Sequence, residues 1–358
     1  MDFFMPTQAY LNQISTTVPA YECHQKFTQV LPALLPLPEA RQKLEHVIAR
    51  LGISQRYTVL ENLFGVNSES FYSPGHFPST ETRMKTYQKE ALPLALKAIQ
   101  PLLEKLDPQS ITHLLVTSCT GFYAPGIDID IVRECGLMPS VERSLIGFMG
   151  CYAAISALRL ARHIVKANPN AKVLMVNIEL CSLHWREDVP FDQLVSFLLF
   201  ADGAAASLIS AEASGLRLDE SYTAFFPDTL DLMRWTISDQ GFYMKLDSQI
   251  PSALHQSLQA YEKQIFHGRA RRDFQLWGIH PGGRSILDAA QAALEIPESE
   301  MHYSRSVLND YGNMSSPTVM FVLKRILEDK TAHGFGSTMA FGPGLTLESF
   351  VFEKEKAA

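Results

Sequence analysis

The chain has 358 residues, 46% of them hydrophobic and 19% charged, with a formal net charge of −7. That length fits two domain-sized units or one duplicated fold, and the apolar content excludes a disordered chain. The acidic balance, 38 acidic against 31 basic residues, argues against a nucleic-acid binder, and no run of 18 apolar residues is present to span a membrane.

In chain order, Met1 to Tyr10 has no basic residue ahead of its apolar stretch, so no secretory signal is expected and the cytoplasm is the expected compartment. The first 40 residues are punctuated by Pro6, Pro19, Pro32, Pro36 and Pro38, which predicts broken helix and loop. Helical spacing runs from Glu39 to Gly52, with Leu44, Val47, Ile48 and Leu51 on one face. A second helical region spans Thr80 to Leu106, with Thr80 as cap and Pro93 and Pro101 as interruptions. Strands are predicted over Ile111–Ser118, Ser144–Phe148, Ala171–Glu179 and Ala204–Ser210. Helices are predicted between them over Ile127–Leu137, Ala153–Val165 and Asp192–Phe200. The second half repeats the pattern: strand Phe274–His280, helix Ser285–Leu294, helix Ser316–Leu327, then strands Ser337–Phe341 and Leu345–Phe352 around a Gly342-Pro343-Gly344 turn. The alternation predicts an α/β fold with a covered central sheet, duplicated into halves 1–212 and 213–358.

No P-loop, G-x-S-x-G, H-E-x-x-H or post-strand G-x-G-x-x-G is present. The five cysteines, 23, 119, 135, 151 and 181, are odd in number and include no C-x-x-C, which favours free thiols over a disulfide scaffold or a zinc site. Three glycine-flanked polar residues remain. Cys151, after Gly150, stands where a strand gives way to a helix, where amide dipoles lower a thiol pKa; it is either a nucleophile or a small buried hydrophobe. His280 ends a strand before Pro-Gly-Gly, either as a catalytic imidazole or as a packed one. Asn313, in Gly312-Asn313-Met314-Ser315-Ser316, is either a site residue or a turn asparagine. Together the three can converge: an imidazole pairs with a thiolate, and an imidazole and a carboxamide jointly hold an oxyanion.

The segments GFMGCYAAISALRLA, GIHPGGRSILD, NDYGNMSSPTVMFVL and AFGPGLTLE resemble the type III polyketide synthases, the chalcone synthase superfamily. VTSCTGFYAPGIDIDI and SFLLFADGAAASL match as well, so the resemblance runs through almost the whole chain. It implies a thiolase-like αβαβα sandwich of two related halves, assembled as a homodimer, with acyl-CoA and malonyl-CoA as substrates and no metal or redox cofactor. It assigns Cys151 as acyl carrier, and His280 and Asn313 as donors to the thioester oxygen. A thiolase would need a second, C-terminal cysteine, and none follows Cys181.

The resemblance places Phe200 and Met244 at the junction of tunnel and cavity, the methionine replacing a second phenylalanine. Cys119, Thr120, Cys181 and His184 fall at cavity-lining positions, with Ser285, Ser315, Gly342 and Pro343. Ala124 replaces a methionine that reaches across the dimer, which would open a tunnel for a chain. Lys43, His46 and Arg50 correspond to the coenzyme A-binding positions; the run Gly268-Arg-Ala-Arg-Arg272 reads as surface. These departures look like bacterial members that use fatty acyl starters to make alkylresorcinols or alkylpyrones. A ketoacyl-ACP synthase III-like enzyme with a single condensation, or a non-catalytic acyl-binding scaffold of the same fold, is the alternative.

Overall fold

The computed structural model describes residues 7–35, 37–65, 70–187 and 191–356. Pro6 and Pro36 lie outside these residues. The strands are β1 (Ala9–Thr17), β2 (Tyr21–Glu22), β3 (Tyr57–Thr58), β4 (His113–Ser118), β5 (Glu142–Gly147), β6 (Val173–Leu180) and β7 (Asp202–Ser210). They continue with β8 (Leu216–Phe225), β9 (Met233–Ser238), β10 (Gly241–Leu246), β11 (Phe274–Ile279), β12 (Gly334–Gly342) and β13 (Thr346–Lys354). The helices are α1 (His24–Leu34), α2 (Pro38–Ile48), α3 (Thr80–Leu103), α4 (Ile127–Cys135), α5 (Ala153–Ala167) and α6 (Phe191–Leu199). After them come α7 (Ile250–Ile265), α8 (Arg284–Ala293), α9 (His302–Tyr311) and α10 (Ser316–Glu328).

Nine strands form one sheet in the order β11-β12-β13-β8-β1-β7-β6-β4-β5. Parallel pairs sit toward its two ends (β5, β4 and β6; β11 and β12), and antiparallel pairs run through its middle. The two halves therefore mirror each other across the β1–β8 pair. β4, β6 and β7 correspond to β11, β12 and β13; β5 alone has no counterpart.

Three apolar clusters separate the layers. One lies between α3 and the first half of the sheet, with Ala91, Leu94, Ala98 and Ile99 against Val176, Ile178 and Ala206. The central one holds α5 and α10 between the two halves, through Ile155, Leu158, Val319 and Val322. The third packs α7 and α8 on the far face of the second half, through Leu254, Leu258, Leu287 and Trp277. This is the five-layered thiolase-like sandwich.

Two expectations are overturned. Residues 9–17 are not broken helix or loop but a central strand, with Ala9 and Leu11 fully buried. Pro19 lies beyond the end of this run, so no proline removes a ladder donor inside it. Pro93 and Pro101 do not interrupt α3, which runs unbroken from Thr80 to Leu103. Burial of its apolar face outweighs the two missing backbone donors. Its cap is Ser79, whose hydroxyl accepts from the Thr82 amide, rather than Thr80.

Candidate active site

Cys151 lies in a turn between β5 and α5. Gly150, at φ +83°, makes the turn, and a Cβ there would sit 2.6 Å from Pro343 Cδ. A Cβ on Gly342 would likewise meet Tyr152 at 2.5 Å. Glycine is required on both sides because the Gly342-Pro343-Gly344 turn packs directly on the cysteine loop. Asn313 occupies the matching place in the other half, just ahead of α10. Its Oδ1 accepts from the Ser315 amide at 2.8 Å, which orients Nδ2 toward Gly282 O (3.2 Å) and Cys151 Sγ (4.0 Å). Ser315 holds this arrangement at φ +59° and ψ −129°, backbone angles that L residues rarely adopt, a strain of about 1–3 kcal/mol. The Asn313 backbone is clamped to the exit of α6: its N–H donates to Leu199 O at 2.9 Å, and its carbonyl accepts from Ala201 N at 2.8 Å.

His280 follows β11 and anchors its amide on Met339 O, 2.8 Å away. The residue is 1% exposed, yet neither ring nitrogen has a hydrogen-bond partner among the described residues. Burial holds the imidazole down at about 3, so the ring is neutral in the folded chain. Burial also pushes the Cys151 thiol up to about 11, against hydrogen bonds from Ser315 and Asn313 that pull it down. The lowering expected from a helix N-terminus is thus outweighed: α5 starts two residues further on, and desolvation dominates.

Cys151, His280 and Asn313 open into one cavity of about 1150 Å³. Phe200, Met244, Cys119, Thr120, Cys181, His184, Ser285, Ser315 and Pro343 line it, and Lys43, His46 and Arg50 stand exposed along one side of its mouth. Gly342 and Ala124 do not line it. Gly342 is spent on the contact with Tyr152, and Ala124 is exposed on the surface. The tunnel expected at Ala124 is therefore not a feature of the single chain's cavity. His184 is fixed structurally. Its Nε2–H donates to Thr120 O at 2.6 Å, its Nδ1 accepts from the Phe242 amide at 3.1 Å, and its ring stacks on Phe242 at 4.2 Å.

Several residues of the site are absent from the sequence-based set. Glu179 is fully buried behind the cavity and accepts from Cys119 N (2.9 Å), Thr120 Oγ1 (2.7 Å) and Ser316 Oγ (2.9 Å), tying β4's exit to α10. Burial raises its carboxyl to about 7. Trp235 and Phe242 line the cavity from the β9–β10 hairpin, and the Trp235 indole donates to Cys119 O at 2.9 Å. Arg284, in the first turn of α8, adds a further cation at the mouth. The hairpin had a signal, two alternating apolar runs around Asp239-Gln240-Gly241. Glu179 had none beyond its place at the end of an apolar strand. Among the described residues no group of three metal-ligating side chains occurs, and no helix is long and apolar enough to cross a membrane.

The sequence profiles of the chalcone and stilbene synthases match this chain, the N-terminal domain over residues 16–213 and the C-terminal domain over 217–354. It is 31% identical over 333 residues to the alpha-pyrone synthesis polyketide synthase-like Pks18 of Mycobacterium tuberculosis, covering 88% of this chain and 83% of that one. It is 29% identical over 330 residues to type III polyketide synthase A of Arabidopsis thaliana, covering 87% and 83%. The fold superposes on the C-terminal type III polyketide synthase domain of Steely1, a type I/III hybrid from Dictyostelium, with a TM-score of 0.90 at 27% identity over 97% of this chain and 99% of that one. The chain belongs to the chalcone and stilbene synthase family and is a type III polyketide synthase.

Proposed function

We propose that Cys151 takes a fatty acyl starter from coenzyme A, that malonyl-CoA extends it by decarboxylative condensation, and that the product cyclises to a pyrone or resorcinol. The observation that carries this reading is the convergence of a thiol, an unpartnered imidazole and an oriented carboxamide on one cavity with a basic mouth. In loading, the Cys151 sulfur attacks the thioester carbonyl, and His280 takes the thiol proton and passes it to the departing coenzyme A sulfur. Malonyl-CoA then loses CO2, and the electron pair of the broken C–C bond becomes an enolate. Its oxygen accepts N–H donors from His280 and Asn313. The enolate carbon attacks the Cys151 thioester, the C–S bond to Cys151 breaks, and a coenzyme A thioester two carbons longer leaves. Lys43, His46 and Arg50, with Arg284, suit the phosphates of coenzyme A. The scheme draws on no metal or redox group.

The fatty starter is supported by the apolar walls, by the flexible Met244 at the phenylalanine position, and by a volume above the usual range for small-ligand pockets. The name of the mycobacterial relative, alpha-pyrone synthesis, points the same way. The aromatic wall of Trp235 and Phe242 favours medium over long chains. The test is product analysis and kcat/KM with malonyl-CoA and acyl-CoAs of four to sixteen carbons. Medium-chain starters should lead, with two or more condensations per product and an acyl adduct on Cys151 by mass spectrometry. Cys151→Ala should abolish product while remaining folded. Preference for aromatic starters would remove the fatty acyl reading, and a single condensation would favour the ketoacyl synthase III-like alternative.

We also propose a homodimer formed across β5. That strand pairs on one side only, with β4, and Glu142, Arg143, Ser144 and Leu145 are exposed on both its faces. Leu145 is exposed, as are Met138 and Ile129, the latter on α4, whose Asp128 pairs with Arg143 of β5.

A further inference from the structure

Arg56 lies outside the cavity, yet it is completely buried. Its Nη1 donates to the carbonyl oxygens of Phe197 and Phe200, at 2.5 and 2.7 Å, where the last turn of α6 leaves carbonyls without helical partners. Its Nε donates to His24 Nδ1 at 3.0 Å, and the guanidinium lies over the Phe27 ring. Among the described residues Nη2 has no hydrogen-bond partner, and the carboxylates of Glu22 and Asp202 act on the cation only through space. A buried cation without a paired carboxylate is costly to keep, so packing alone is a poor reason for it.

The segment carrying Arg56 is strapped to both halves of the molecule. Ser54 N and Gln55 N donate to Asn309 O on α9, and Val59 N donates to Asp202 on β7. Arg56 also presses on the residue before Asn313. A Cβ on Gly312, at φ +67°, would sit 2.7 Å from Arg56 Cγ and 2.9 Å from Leu199 O. The side chain thus touches both strands of the short ladder in which Asn313 pairs with residues 199–201.

We propose that Arg56 is a positioning residue for the Asn313 carboxamide: by clamping the exit of α6 and packing against Gly312, it holds the donor amide in register with the Cys151 sulfur. The inference rests on the reading that Asn313 donates to the substrate oxyanion. Arg56 touches no substrate, so it acts only through the backbone of Phe200 and Asn313.

The test is a cycle of wild type, Arg56→Gln, Asn313→Ala and the double variant, with Arg56→Lys alongside. Each is assayed for CO2 release from malonyl-CoA, with kcat and KM measured separately. Arg56→Gln should lower kcat roughly 10- to 100-fold, a fraction of the loss on removing an oxyanion donor outright. Its KM should stay within about threefold, because the basic mouth is built from α2, the turn after it and the start of α8, none of which Arg56 hydrogen-bonds. The double variant should match Asn313→Ala within about twofold, and Arg56→Lys should recover part of the lost kcat, since it keeps the charge but not the fork. Wild-type kcat in Arg56→Gln, or losses that multiply in the double variant, would overturn the positioning role. Wild-type turnover in Asn313→Ala would instead overturn the oxyanion reading on which it rests. Where Arg56→Gln shows no cooperative unfolding transition, Gly312→Ala takes its place. Its added methyl displaces the same contact and should cost about tenfold or more in kcat at near-constant KM. Wild-type kcat there also overturns the proposal.

Discussion

If His280 and Asn313 serve one oxygen, their losses cannot multiply. Removing either donor should cost roughly 10²–10³ in malonyl-CoA decarboxylation, and removing both should cost little more. A double variant whose loss is the product of the two singles would assign them separate tasks. Glu179 carries a different signature. Its carboxyl is held at about 7 in the folded chain against an ordinary value of 4.5, so the folded state keeps a proton that the unfolded state releases. Its contribution to stability is full below about pH 4.5 and declines as pH rises to about 7, by up to roughly 3 kcal/mol. Glu179→Gln cannot titrate, so unfolding midpoints measured from pH 5 to 8 should fall less steeply in the variant than in the wild type. Equal slopes would show that Glu179 is not the group responsible. Cys151 and Asn313 were legible as candidates because each follows a glycine at positive φ, Gly150 and Gly312, and His280 because it ends an apolar strand ahead of Pro-Gly-Gly. The duty of Glu179 was not legible, since it depends on Thr120 and Ser316, brought to it from β4's exit and α10.

The β9–β10 hairpin shows how an unread element can set specificity. The apolar alternation of residues 233–246 around a two-residue turn was available in the sequence, but only the folded chain brings Met233, Trp235, Phe242 and Met244 to the cavity wall. Trp235 stands edge-on to His184 at 5.5 Å and to Phe242 at 5.7 Å, so the three rings form one aromatic cluster in the cavity wall. Trp235→Ala should remove the largest of them and lengthen the best acyl-CoA starter by two carbons or more, each added methylene being worth up to about 0.8 kcal/mol if buried. The measurement is kcat/KM across acyl-CoAs of four to sixteen carbons, and an unchanged optimum would place the acyl chain elsewhere in the cavity. Elements with strong periodicity, such as α5, β6 and α10, were read nearly to the residue. β1 was misread because its neighbouring prolines suggested loop, whereas its pairing with both β7 and β8 is a long-range fact that no local window contains.

At the scale of the molecule, one continuous sheet joins the halves through β1 and β8 and ends in two edge strands, β11 and β5, of which β5 adjoins the nucleophile. β5 leads directly, through Gly147-Phe148-Met149-Gly150, to Cys151, so whatever covers β5 also steadies the nucleophile's loop. In the proposed dimer a second copy of the chain covers this edge, and Leu145, Ile129 and Met138 are exposed apolar residues that a symmetric partner would match with its own. A stable dimer buries about 800 Å² per partner, more than β5 alone provides, so α4 and the 137–141 turn should share the interface. Leu145→Glu places a charge at its centre without touching the cavity. Light scattering should then report a dimer for the wild type and a monomer for the variant. Product formation should fall with dissociation and return as protein concentration is raised, each tenfold loss of affinity reflecting about 1.4 kcal/mol. A monomeric wild type would refute the interface, and a monomeric variant with full activity would separate assembly from the ordering of the Cys151 loop.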